Sequence, residues 1–118
     1  MKFQLTSKEI FLHAVTGLLA LVCLAVVSVF WKAPALLLFV LAAIAASMIF
    51  IGEERKRDLV LFLLVSVWGA FSEAIAIRYG AWSYPEPLFF GIPPWLPFVW
   101  GIAGIFIKRL YQAIRELL

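Results

Sequence analysis

Charge is what this chain has least of. Only 14% of its 118 residues are Asp, Glu, Lys or Arg, while 65% are hydrophobic. A water-soluble domain of this size has too much surface for its volume to hide so much apolar side chain. Its solvent is therefore lipid. The chain has one cysteine, Cys23, and one histidine, His13. One cysteine forms no internal disulfide. One histidine with one cysteine does not supply the three or four ligands of a zinc site. The sequence holds no Ser-His-Asp set, no phosphate-cradling glycine loop and no paired carboxylates in an apolar setting. It shows no cofactor motif and no metal motif. The basic residues sit at helix ends, where they set membrane topology, and do not form a nucleic-acid-binding patch.

Long apolar runs are present instead. A bilayer core of about 30 Å needs roughly 20 apolar residues per helix. Four runs approach that length, near 8–30, 34–51, 59–77 and 94–111. The expected fold is all-α, a four-transmembrane-helix bundle in one domain over residues 1–118. Thr6 and Glu9 have the spacing of a capping box at the start of the first helix. Trp31, Lys32 and Ala33 make a short turn into Pro34, which suits a first helical position. The first two helices therefore form an antiparallel hairpin. Glu53 to Asp58 reads as a solvated charged loop. The fourth run is short, so Lys108 and Arg109 snorkel to the interface, or the helix begins earlier and kinks at Pro93-Pro94. The tail Tyr111 to Leu118 extends that helix along the membrane surface.

Orientation follows from the basic residues. Lys2, Lys8, Arg55, Lys56, Arg57, Lys108, Arg109 and Arg115 share one side, and only Lys32 and Arg78 lie on the other. The positive-inside rule puts both termini in the cytoplasm of a bacterial-type inner membrane. Trp31, Tyr79, Trp82, Tyr84 and Trp95 then gather at the outer interface.

Glu73 is the residue that asks for a function. It lies about one turn inside the outer end of the third run, where a carboxylate costs about 2.5–3.5 kcal/mol on insertion scales. Ser66, Gly69 and Ala76 share its face, and small residues let helices close around a polar group. The carboxyl is expected to face protein and, desolvated, to rest as the neutral acid. It is the candidate catalytic group or proton carrier, or the counter-charge of a cationic ligand. A structural hydrogen bond or an ion pair with Arg78 or Lys32 is the plainer alternative. Arg78 otherwise reads as an interfacial anchor. His13, with Glu9, Thr16, Ala20 and Cys23, forms a mildly polar stripe on the first helix. By helix rise it lies roughly 15–20 Å from Glu73 in depth, so the two do not form one catalytic pair.

The segment from Arg78 to Pro93 is rich in Gly, Pro and aromatics. With Trp82, Tyr84, Trp95 and Trp100 it is able to wall a pocket beside Glu73; a rigid interfacial cap is the alternative. The pattern Gly80-x-Trp82-x-Tyr84, then Gly91-Ile92-Pro93-x-Trp95-Leu96-Pro97, resembles that of small bacterial membrane proteins. More weakly, with Glu73, it resembles a stretch of the membrane-embedded carotenoid cyclases and hydratases. That resemblance implies a multi-span protein acting on a long polyene, with acidic residues after the Ile-Pro turn. This chain carries Pro94, Trp95 and Leu96 there. In architecture alone, the chain is also similar to the small multidrug transporters, which are dimeric and place their glutamate in the first span. Three functions are compatible with these residues. One is binding or processing of a polyene- or lipid-like molecule at an outer-side pocket of Glu73, Arg78, Trp82, Tyr84, Trp95 and Trp100. The second is proton-coupled transport by a homodimer. The third is a non-catalytic accessory role beside another membrane subunit. The expected partners are the lipid bilayer and a lipophilic small molecule, with no nucleic acid.

Overall fold

A computed structural model describes residues 5–118. Four helices follow one another: α1 Ser7–Phe30, α2 Pro34–Ile51, α3 Arg55–Arg78 and α4 Leu96–Leu117. Among the described residues the only extended pairing is an isolated bridge between Phe89 and Ile92. The molecule measures 47 × 28 × 24 Å, and its long dimension matches a bilayer with its headgroups, about 40–45 Å. Three helices, α1, α2 and α3, are long and apolar enough to cross a membrane. The fourth carries Lys108 and Arg109 within its length and falls short of that measure.

The helix ends follow local chemistry. At α1 the capping box is complete: the Glu9 amide donates to Thr6 Oγ1 at 3.1 Å, and the Thr6 amide donates to Glu9 Oε1 at 3.4 Å. Pro34 occupies the first turn of α2, where its missing N–H removes no bond. The third helix ends in a Schellman motif. Ala81 N–H reaches Ala76 O at 3.0 Å, and Gly80 N–H reaches Ile77 O at 3.0 Å. Gly80 sits at φ 83°, the left-handed conformation that this ending requires.

Two helices run beyond the apolar stretches read from sequence. The charged segment expected as a loop to Asp58 ends sooner, because α3 already begins at Arg55 and Asp58 N–H donates to Glu54 O at 2.8 Å. Charged residues are adequate helix formers, so hydropathy alone misplaces such a boundary. The fourth helix starts at Leu96, after the Pro93-Pro94 pair and not before it, so no proline kink arises. It continues through the tail to Leu117.

The helices α3 and α4 lie antiparallel in close contact, and glycines set their spacing. A methyl group at Gly69 would overlap the Trp100 ring, one at Gly101 would overlap Phe62 and Ser66, and one at Gly104 would overlap Val65. The buried residues of α3 are Asp58, Phe62, Ser66, Gly69 and Glu73. Their steps of three and four draw one stripe along the helix. The apolar core beside it comprises Leu37, Leu41 and Met48 of α2 with Ile102 and Ile105 of α4, all essentially inaccessible. Cys23 of α1 is buried against the same core.

Candidate functional site

Both ends of the α3 stripe carry a buried carboxylate. Towards the C-terminal end of α3 is Glu73, 8% exposed. It faces protein, as its small-residue face led one to expect. Trp82 Nε1–H donates to Glu73 Oε1 at 3.1 Å, the Tyr84 hydroxyl donates to the same oxygen, and Trp100 Nε1–H donates to Oε2 at 2.5 Å. Trp82 and Tyr84 come from the connection after α3, and Trp100 from the first turns of α4.

Tyr84 and Trp100 are held in place by packing. The Schellman ending at Gly80 turns the chain back so that Trp82 and Tyr84 fold over the helix they have just left. Gly91, at φ 76°, rests against Ile77 so closely that a side chain there would collide with it. Trp95 is 8% exposed and meets Tyr84 edge to face at 5.9 Å. It supports Tyr84 from behind and makes no hydrogen bond to Glu73. Trp100 lies flat on Gly69, and that contact lets its indole reach the carboxylate one turn further on. Burial, and then the hydrogen bond to Glu73, raise the Tyr84 hydroxyl well above the ordinary tyrosine range.

A cleft of about 610 Å3 opens beside this cluster, lined by Ser72, Glu73, Trp82, Ser83, Tyr84 and Trp100. Three of these six residues are aromatic. Of the six residues named from sequence as ligand-binding, Glu73, Trp82, Tyr84 and Trp100 meet here. Trp95 stands behind them. Arg78 is exposed and lines a separate recess with Ala74, Ile75, Ile77 and Phe90. Lys32 rests over the Trp31 ring at 5.1 Å. Neither cation pairs with Glu73.

At the N-terminal end of α3 is Asp58, 1% exposed, where a solvated loop was expected. Its Oδ2 accepts from Arg109 Nη2 at 2.8 Å, and its Oδ1 pairs with Lys108. Arg109, read from sequence as a snorkelling residue, is 2% exposed and turned inward. It also donates to Thr16 Oγ1 at 2.9 Å and to the Met48 carbonyl at 2.7 Å. The guanidinium thus ties α1, α2, α3 and α4 together at one point. Gly52 closes against it, and a methyl group there would strike both Arg109 and Asp58. Lys108 also reaches Glu54 at 3.3 Å. That contact leads the causes that lower the Glu54 carboxyl below its ordinary range.

His13 borders a polar cavity of about 210 Å3 at this end, shared with Glu9, Glu54, Asp58 and Arg115. Its Nδ1 is buried without a hydrogen-bond partner. Glu73 belongs to the opposite end, in keeping with the depth separation read from the sequence. Among the described residues no group of three or more His, Cys, Asp or Glu is arranged to hold a metal ion. Comparison with protein-family models, with curated proteins and with solved structures finds no match to this chain.

Proposed function

We propose that this protein is a small four-pass protein of a bacterial-type inner membrane that binds a lipophilic molecule in the outer-side cleft around Glu73. The observation that carries the reading is the convergence of three aromatic donors on one buried carboxylate at the mouth of an aromatic-walled cleft. Pockets for small molecules combine mostly apolar walls with a few placed polar groups. An ionisable group at membrane depth marks a functional site by default. The bulky apolar neighbours Trp68 and Phe71 are exposed on the same stretch of α3, so a ligand with an apolar body has a route in from the lipid.

Four passes are supported by the pairing of α4 with α3. Contacts run from Trp100 on Gly69 at one end to Arg109 on Asp58 at the other. If α3 crosses the bilayer, α4 crosses beside it, and its two cations are covered by Asp58 and Glu54. Cytoplasmic termini are supported by the basic residues. Lys8 pairs with Glu53 at 3.4 Å, and Lys108 and Arg109 meet Asp58, so these cations share the end that holds Arg55, Lys56 and Arg57.

The test is mass spectrometry of small molecules that co-purify with the protein in mild detergent. The expected result is a lipophilic species retained by the wild type and lost on Trp82→Ala and Trp100→Ala. Protein that carries only bulk phospholipid, unchanged in both variants, contradicts the reading and favours an accessory role.

A further inference from the structure

The lining of the Glu73 cleft has a hydrogen-bonding sign. Its aromatic donors are spent. The two indole N–H groups and the Tyr84 hydroxyl all point at the carboxylate. Indole nitrogen donates only, so both carboxylate oxygens must offer lone pairs to Trp82 and Trp100. The Ser72 hydroxyl donates to the Trp68 carbonyl at 2.7 Å, which leaves its lone pairs free for the cleft. Beside Glu73 the cleft offers a ligand acceptor capacity, the unused carboxylate lone pair and the Ser72 oxygen, with the Ser83 hydroxyl and three aromatic side chains along its wall.

Charge points the same way. Asp58, buried on the same stripe, is met by two cations, Lys108 and Arg109. Glu73 is met by none. Of the two basic residues at its end of the molecule, Lys32 lies over Trp31 and Arg78 is exposed at the separate recess it lines with Phe90. A buried charge stands at low cost only when another charge faces it. The ring faces of Trp and Tyr attract cations and repel anions.

We infer that the ligand of this cleft carries a positive charge: a lipophilic amine, whose ammonium head sits against Glu73 among Trp82, Tyr84 and Trp100 while its apolar body extends towards the exposed Phe71 side of α3. This rests on the cleft being a ligand site, and the experiment separates the two claims.

The protein is placed in nanodiscs of phosphatidylcholine, and its tryptophan fluorescence is followed as octylammonium or the equally long neutral octanol is added. Each titration is corrected for partitioning into empty discs. The expected result is saturable binding of both, with octylammonium tighter by about tenfold or more, as a desolvated cation–ring contact requires. In Glu73→Gln the two affinities should converge through loss of the ammonium's advantage, with octanol little changed. Equal affinity of the two probes for the wild type overturns the cation inference while leaving the pocket standing. Saturable binding of neither overturns the pocket, and the inference with it. The wild-type comparison decides the matter even if Glu73→Gln fails to fold.

Discussion

Two buried carboxylates stand on one stripe of α3, fifteen positions and therefore about 22 Å apart along the helix. Their surroundings are opposite in kind. Asp58 is enclosed by Lys108 and Arg109, and Arg109 goes on to Thr16 and the Met48 carbonyl, so this cluster is charge-compensated and every helix has a hand in it. Glu73 is enclosed by neutral donors from α4 and from the connection between α3 and α4, and a cleft opens beside it. The Asp58 cluster already holds its counter-charges within the protein. On the proposed function, the contrast separates the charge that holds the bundle together from the one that meets a ligand.

The largest effect is expected from breaking the Asp58 cluster on one side only. Arg109→Leu takes from Asp58 the more deeply buried of its two cations, and removing one partner of a buried pair costs about 3–5 kcal/mol. Equilibrium unfolding in mixed micelles should show that loss. The double variant Asp58→Leu with Arg109→Leu should recover most of it, because no charge is then left alone. Next come the glycines that let each cluster close. Gly52→Ala and Gly69→Ala each force a buried neighbour aside, at about 1–3 kcal/mol. The two should differ in kind: Gly52→Ala lowers stability only, whereas Gly69→Ala displaces Trp100 and so also weakens ligand binding.

A smaller loss is expected at Tyr84. Tyr84→Phe removes one buried hydrogen bond to a charged group, worth about 1.5–3 kcal/mol at most and less at this half-buried site. The same residue gives a pH signature. Its hydroxyl is raised above the ordinary value of 10.0 in the folded protein, so the folded state holds that proton more tightly than the unfolded chain does. The contribution is fully present below pH 10 and is lost as pH rises from there through the folded value. Wild-type stability should fall in that alkaline window more steeply than that of Tyr84→Phe. The smallest effect is at Glu54, whose carboxyl is lowered below its ordinary value of 4.5. Its contribution is present above that value and fades as pH falls below it. Glu54→Gln should flatten this acid limb only slightly, because the group is exposed to water.

Much of this was open to reading in the sequence. The first two helices end where the capping box, Pro34 and Gly52 indicate, because those signals are local. Glu73 was conspicuous because a charge interrupts an apolar run, and its neighbours Ser66 and Gly69 gave away its inward direction. Asp58 was hidden because it sits at the edge of a charged segment, where hydropathy reads it as solvated. A signal was nevertheless there. Asp58, Phe62, Ser66, Gly69 and Glu73 follow one another by steps of four, four, three and four, so Asp58 lies on the same face as Glu73. Arg109 had a similar mark, being four positions after Ile105 and seven after Ile102, both of which are buried. Tertiary pairing could not be read in this way. Nothing local to Trp100 announces that Gly69 on another helix leaves room for its ring, and nothing near Arg78 tells that it turns away from Glu73.

The most direct test of the division of labour is to measure stability and ligand retention together in Glu73→Gln and Asp58→Asn. In Glu73→Gln one carboxylate oxygen becomes an amide that no longer accepts from Trp100, a loss of about 1 kcal/mol, while the ligand that co-purifies with the wild type should be gone. In Asp58→Asn the buried Arg109 loses its counter-charge and stability should drop severalfold further, yet the molecules that remain folded should retain the ligand as the wild type does. The account is contradicted if Glu73→Gln unfolds as readily as Asp58→Asn, or if it keeps its ligand.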